Sequence, residues 1–168
     1  MEVVTMDKLK SFLKRSIPSL VFSAISLLVG ILSALVTKGN MDIYESIETP
    51  PLSPPATVFP IVWSILFILM GVGAGMVYRR WEKEENNARE GLLFFAIQLA
   101  VNFIWSVLFF NAQKYLLCIF VLLLLLILVI RMAKGFGKVN KVAGLLQVPY
   151  ILWLLFALYL NVGIVVLN

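Results

Sequence analysis

The sequence predicts an all-α integral membrane protein, a five-transmembrane-helix bundle with a long Pro-rich loop between helices 1 and 2. Three observations predict it. Hydrophobic residues make up 61% of the 168 and charged residues 14%, against about 45–50% and about 25% in soluble domains. A soluble domain of this size cannot hide that excess, because much of its surface stays wet. Five apolar stretches, at about 16–36, 58–79, 91–111, 115–134 and 142–167, approach or exceed the ~20 residues needed to cross a hydrocarbon core. Their interiors carry no charged side chain; Arg79, Arg131 and Lys134 sit at their ends. Residues 1–168 are read as a single membrane domain.

Each element has its own reason. Residues 1–15 carry Lys8, Lys10, Lys14 and Arg15 around Leu9, Phe12 and Leu13, the pattern of an amphipathic lead-in at an anionic membrane surface. The apolar run after it exceeds the ~7–15 residues of a signal core and has no small-x-small cleavage site behind it, so it is span one. Ser19, Ser23, Ser26, Gly30 and Ser33 fall on one face of that span. In lipid such a face lets helices approach closely. Loop 37–57 carries Pro50, Pro51, Pro54 and Pro55, which fix φ and keep their predecessors extended. Much of it is therefore stiff without being helical.

Span two opens on Pro60, tolerated in a first helical turn, and aligns Trp63, Phe67, Met70 and Ala74 on one face. Its Gly71 and Gly75 form a GxxxG pair that permits close contact with another helix or a second copy. Span three aligns Gln98, Asn102, Trp105 and Phe109. Two amides in mid-membrane are costly unless paired, so this face points into the bundle or at a ligand. Span four is nearly pure Leu, Ile and Val and reads as a lipid-facing wall. Span five contains Pro149, where a kink is expected, and aligns Tyr150, Trp153, Ala157 and Asn161, flanked by Phe156 and Leu160.

Charge orients the bundle. The N-terminal segment and the loops after spans two and four hold four Lys or Arg each, whereas the other two loops hold only Lys38 and Lys114. The positive-inside rule then predicts the N-terminus inside, and the C-terminus and loop 37–57 outside. The net charge of +5 is a property of these loops and does not read as a nucleic-acid footprint.

Composition narrows the chemistry. There is no histidine, which removes the commonest general base, metal ligand and haem ligand together. The lone cysteine, Cys118, forms no intrachain disulfide and reads as a small apolar residue. Coupled pumps place ionisable groups at mid-membrane, and these spans have none. What remains is a pocket of Trp, Tyr and Phe with a few amides, suited to a large, flat, mostly apolar ligand. Each aromatic stripe taken alone is also what helix packing produces.

The run Pro50…Pro54-Pro55…Trp63, the stretch QLAVNFIWSVLFF (98–110) and the stretch PYILWLLFALYLN (149–161) resemble the tryptophan-rich sensory protein, or translocator protein, family (TspO, peripheral benzodiazepine receptor) over about residues 15–165. The resemblance implies a five-helix bundle, often a homodimer, that binds porphyrins such as protoporphyrin IX, cholesterol in some members, and benzodiazepine-type ligands. It implies that Tyr44, Pro50, Trp63, Asn102, Trp105, Tyr150, Trp153, Phe156, Ala157 and Leu160 line or cap the ligand pocket. Gln98 and Asn161 match polar positions of the family motifs. Two positions depart from the family pattern. Leu52 stands where an aromatic is often found, and Pro60 is one position earlier than the usual proline before Trp63. The sterol-type pattern also fails, since none of the five residues after Tyr159 is basic; no tight sterol preference is expected.

Three functions fit these features. The first is a membrane receptor for porphyrins and similar flat ligands, in tetrapyrrole sensing, transport or turnover, with porphyrin as ligand and no cofactor required. The second is light- and oxygen-dependent porphyrin degradation, in which the indoles of Trp63, Trp105 and Trp153 are the oxidisable partners and no metal or acid–base residue takes part. The third is a scaffold acting through protein partners, using Gly71/Gly75 and the Ala96/Ala100 face.

Overall fold

The computed structural model describes residues 2–40 and 43–168, with side chains described for 16–40, 43, 44 and 46–168. Helix α1 spans Glu2–Thr37 and runs on into a 3-10 turn at Lys38–Asn40. Helix α2 is the single turn Ile43–Ser46 in the Pro-rich loop. Helix α3 spans Val58–Tyr78, and α4 spans Glu85–Ser106 before a π turn at Val107–Asn111. Helix α5 spans Tyr115–Val139, α6 is the short Lys141–Leu145, and α7 spans Val148–Leu167. Among the described residues five helical segments are long and apolar enough to cross a membrane: Ser16–Asn40, Val58–Tyr78, Glu85–Asn111, Tyr115–Val139 and Lys141–Leu167.

Large apolar side chains such as Leu20, Leu35, Phe120, Leu152 and Val166 are left on the outside. In a membrane protein these face the acyl chains, so exposure there carries no hydrophobic penalty. The amphipathic character expected of residues 1–15 rests on side chains outside the described residues.

Helix α1 packs most extensively on α3, and the sequence reason is small residues. A Cβ at Gly71 would overlap the backbone of Ser23, and one at Gly75 the backbone of Ser19. Ser23 Oγ donates to Ile68 O at 3.2 Å and Ser19 Oγ to Val72 O at 3.4 Å. The GxxxG pair is thus consumed inside the chain. It is not a free surface for a partner, which corrects the expectation that these glycines serve an interface between proteins. Helix α5 is likewise more than a lipid-facing wall. Its face of Cys118, Leu122, Leu125, Val129, Met132 and Phe136 is fully buried or nearly so and packs on α4 and α7. Gly91 admits the Phe136 ring and the close approach of Gly135.

Three boundaries differ from the sequence reading. Helix α4 begins at Glu85, because the polar turn between the spans tightens around Arg80 and Trp81 and hands Ala88 N to Glu84 O at 2.8 Å. Helix α5 reaches Val139, whose carbonyl accepts from Arg80 Nη1 at 2.6 Å. Pro149 does interrupt span five, as a break just N-terminal to its ring and not as a bend of a continuous helix. The chain breaks between α6 and α7, and Pro149 falls in the first turn of α7, where its missing N–H costs nothing.

Candidate functional site

At the end of the bundle that carries the Pro-rich loop, α1 and α3 separate. A cavity of about 230 Å³ fills the space between α1, α3, α4 and α7. Nine of the residues expected at the site line it: Tyr44, Trp63, Phe67, Asn102, Trp105, Phe109, Ala157, Leu160 and Asn161. A continuous run of rings forms its floor and wall. Trp63 lies 5.6 Å from Phe67 and 6.5 Å from Trp105, and Trp105 lies 5.2 Å from Phe109. The π turn at the end of α4 widens the helix by one residue, and both Phe109 and the adjacent Phe110 line the cavity.

The remaining five expected residues do not line it. Gln98 and Tyr150 form a buried network behind the wall: Asn102 Nδ2 donates to Tyr150 OH at 3.1 Å, and Tyr150 OH donates to Gln98 Oε1 at 3.0 Å. Gln98 Nε2 meets Met70 Sδ at 3.3 Å. The amides are thus spent on each other and on tyrosine, which is how a membrane interior tolerates them. Trp153 and Phe156 sit one row away on α7. Trp153 lies 5.9 Å from Phe59 and 5.6 Å from Phe156, and Phe59 lies 5.0 Å from Tyr44. They back the ring row under the loop without reaching the cavity. Pro50 is buried against Gly163, where a Cβ would strike its ring.

That Pro50 contact belongs to a latch. Tyr159 OH donates to Pro51 O at 2.7 Å. Asn168 takes both backbone groups of Glu48, accepting from its N–H at 3.1 Å and donating to its carbonyl at 2.9 Å. Inside the loop Tyr44 OH donates to Pro54 O at 3.3 Å and Ser53 Oγ to Pro50 O at 2.6 Å. Burial raises the Tyr44 phenol above its ordinary value, with a Ser53 contact partly opposing. Leu52, at the tip, is 83% exposed with φ of 70°, a left-handed conformation that is strained for leucine.

Sequence reasoning missed the α1 wall. Leu27, Gly30, Ile31, Ser33, Ala34 and Thr37 all line the cavity, as do Phe59, Ser64, Ser106 and Ile164. A signal for part of it was present: Gly30 and Ser33 lie on the same small-residue face as Ser19 and Ser23. That face has two uses, with Ser19 and Ser23 seated on the α3 backbone, and Gly30, packed against the Phe67 ring, and Ser33 bordering the cavity. Every lining residue named here is uncharged.

Five helices long and apolar enough to cross a membrane, packed around an uncharged aromatic cavity beside a latched loop, define a polytopic membrane protein. Comparison with known sequences then identifies the family: the TspO/MBR family model matches residues 22–167, and the chain belongs to that family. It is 42% identical over 126 residues to the tryptophan-rich protein TspO of Chlorobaculum tepidum, covering 74% of this chain and 78% of that one. Protein CrtK of Rhodobacter capsulatus is 37% identical over 74% of this chain and 78% of its own. The translocator protein of Bos taurus is 32% identical over 86% of both chains.

Proposed function

We propose that the protein is a membrane receptor for porphyrins of the protoporphyrin IX class and similar flat, hydrophobic ligands. The observation that carries this reading is the uncharged ring-lined cavity, with Trp63, Phe67, Trp105 and Phe109 on one side and the α1 backbone on the other. Indole and phenyl faces stack on planar rings for about 0.5–1.5 kcal/mol per pair beyond burial. Asn102 supplies a polar edge that can fix orientation. The tetrapyrrole's ionised carboxylates would stay at the loop end, since a charge in the uncharged interior lacks a partner. The family relatives named translocator protein and TspO are compatible with ligand handling in a membrane. The loop orientation that goes with this reading is N-terminus inside and latch outside, supported by the crowding of Arg79, Arg80, Lys83, Arg89, Arg131, Lys134, Lys138 and Lys141 at the end away from the latch. In this reading the protein self-associates into a homodimer through the exposed Ala96/Ala100 face of α4.

Saturable quenching of tryptophan fluorescence by protoporphyrin IX in the dark tests the proposal. Trp63→Phe and Trp105→Phe should each weaken binding roughly two- to tenfold, the loss of part of one stacked pair. Unchanged affinity in both variants refutes the site. The photochemical reading has one observation in its favour, the Trp63–Trp105 pair at 6.5 Å facing one cavity. Illumination that yields only the products and rate of free porphyrin rejects it.

A further inference from the structure

The seam between α1 and α3 keeps one register. Along α1, Ser19, Ser23, Gly30 and Ala34 share a helical face, and along α3 so do Pro60, Ser64, Gly71 and Gly75. The helices run antiparallel, with Ser23 against Gly71 and Ser19 against Gly75. Carried toward the latch end, the same register sets Gly30 opposite Ser64 and Ala34 opposite Pro60. The helices do not close there as they do at the seam. Ala34, Pro60 and Ser64 are all exposed, and together with the exposed Ile31 they line the cavity from its two sides.

Packing explains why the gap stays open. The Phe67 ring stands between the two helices, seated on Gly30, where an added Cβ would strike it. At the latch end α1 is tied to α4 instead of α3: Asn111 Nδ2, at the close of the π turn, donates to Val36 O at 3.1 Å, and Asn40 Nδ2 donates to Asn111 Oδ1 at 3.0 Å. The bonds from α1 to α3 come from Ser19 and Ser23, at the other end. The gap also lies at membrane depth. Ala34 and Ser64 each sit about 9 Å inside the latch-side ends of the spans Ser16–Asn40 and Val58–Tyr78, at ~1.5 Å per residue. With a hydrocarbon core about 30 Å thick, that level belongs to the acyl chains and not to the headgroups. The flanks agree, since Leu32 and Leu35 on α1 and Ile61 and Ile65 on α3 are exposed. The rim itself asks for no water, because Ser64 Oγ is spent on Pro60 O at 2.7 Å, the usual bond of a helical hydroxyl to the carbonyl four residues back.

We infer that the gap between α1 and α3 is a side portal joining the cavity to the acyl-chain layer of the latch-side leaflet. At rest it takes one acyl chain of a phospholipid, and flat apolar ligands dissolved in the bilayer enter and leave by the same way. An uncharged rim with its hydroxyl already bonded, set among lipid-facing leucines and isoleucines, suits a hydrocarbon chain and offers nothing to a headgroup. A ligand passing sideways also exposes no apolar surface to water on its way in. The loop fixed by the latch is the connection between the outer ends of α1 and α3, so the latch limits how far the portal widens. The entry of ligands rests on the reading of the cavity as a ligand site; the entry of an acyl chain does not.

Two measurements test it. In the first, the full chain is reconstituted in phosphatidylcholine vesicles doped with a phosphatidylcholine that carries a diazirine at mid-chain. The vesicles are irradiated, and adducts on the digested protein are located by mass spectrometry. Phe67 and Trp105 are buried in the cavity wall, whereas Met70 and Leu125 are buried away from it. Adducts on the first pair should exceed those on the second by about tenfold, since a close-packed interior admits no chain. In the second, Ala34→Phe and Ser64→Phe place a ring in the rim at positions that already face lipid. Each should slow the dissociation of protoporphyrin IX, read by recovery of tryptophan fluorescence in stopped flow, by roughly five- to tenfold. A ring that only damaged the site would speed dissociation instead. Adducts on Phe67 and Trp105 no more frequent than on Met70 and Leu125 overturn the inference, as does dissociation that is unchanged or faster in both variants. If protoporphyrin IX does not bind at all, the porphyrin reading falls and the labelling alone decides the portal. If it binds while Phe67 and Trp105 stay unlabelled, the portal falls and the porphyrin reading stands.

Discussion

Replacing Gly71 by Ala adds one methyl group where the α1 backbone already touches α3. The Cβ would overlap Ser23 Cα and N, atoms that cannot swing aside as a side-chain tip does. Ordinary carbon contact lies at ~3.5–4.0 Å, so α1 must retreat by roughly 1 Å or more along this seam. The retreat stretches the Ser23–Ile68 and Ser19–Val72 hydrogen bonds, already at 3.2 and 3.4 Å. Interhelical hydrogen bonds in membranes average about 0.6 kcal/mol each, and overpacking a tight contact costs about 1–3 kcal/mol. Against this, Ala gains about 1 kcal/mol over Gly in intrinsic helix preference. The net expectation is a loss of about 1–3 kcal/mol.

Gly137→Ala is the control. It sits in α5, and its Cβ would meet nothing within 4 Å, so only the helix preference acts and the variant should gain up to about 1 kcal/mol. Thermal unfolding in detergent, read by the monodisperse fraction surviving on size exclusion, should move in opposite directions for the two, by roughly 2–4 °C per kcal/mol. The Gly71→Ala loss should be independent of protein concentration, because the seam lies within one chain. A Gly71→Ala protein as stable as the wild type, or a loss that scales with oligomer dissociation, would show that the seam argument is wrong.

Other outcomes follow from the same geometry. Tyr150→Phe removes both bonds that tie Asn102 and Gln98 together and should destabilise the fold by about 1–3 kcal/mol, with Asn102, which borders the cavity, freed to change ligand affinity; unaltered melting and affinity would contradict the network. Gly163→Leu should drive Pro50 off α7 and speed ligand dissociation, measured by stopped-flow after dilution, while leaving Gly71-dependent stability intact; an unchanged off-rate would mean that the latch does not guard the cavity. The Tyr44 phenol is raised in the folded state by burial. Its contribution is therefore complete below the ordinary tyrosine value of about 10 and is lost as pH rises through the higher folded value. Loop closure, followed by limited proteolysis of residues 46–57, should hold steady from neutral pH to about 9 and fall above about 10; Tyr44→Phe should flatten that fall, and an identical pH curve in the variant would remove Tyr44 from the account.

The helices were legible because lipid demands long apolar runs, and the facing of Trp63, Phe67, Asn102 and Trp105 was legible because helical spacing is strict. The end of each helix was less so. Glu85 to Glu90 is polar enough to read as a turn, yet it forms the start of α4, where Ala88 and Gly91 are buried. Pro149 marked an interruption of span five, but did not show that it would be a break ending on Gln147. Its amide folds back to Ala143 O at 3.1 Å, and periodicity is blind to such a bond. Trp153 shares a stripe with Ala157 and Asn161, yet only the latter two reach the cavity, and of the flanking pair Leu160 reaches it and Phe156 does not. A stripe fixes which face turns inward, not how far each ring on it extends past its neighbours. The α1 wall was hidden for the opposite reason: serine and glycine look alike whether they press on a helix or border a void.

The seam of Ser19, Ser23, Gly71 and Gly75 has a mechanical consequence. Helices α1 and α3 are riveted at one end and stand apart at the other, like the arms of tongs. With the rivet backbone-on-backbone, the arms can widen only by turning about it, and a small angle there becomes a large displacement near Thr37 and Phe59. On the proposed reading of the cavity, the size of guest would be governed by leverage about the rivet and by the grip of the Glu48–Asn168 clasp at the open end.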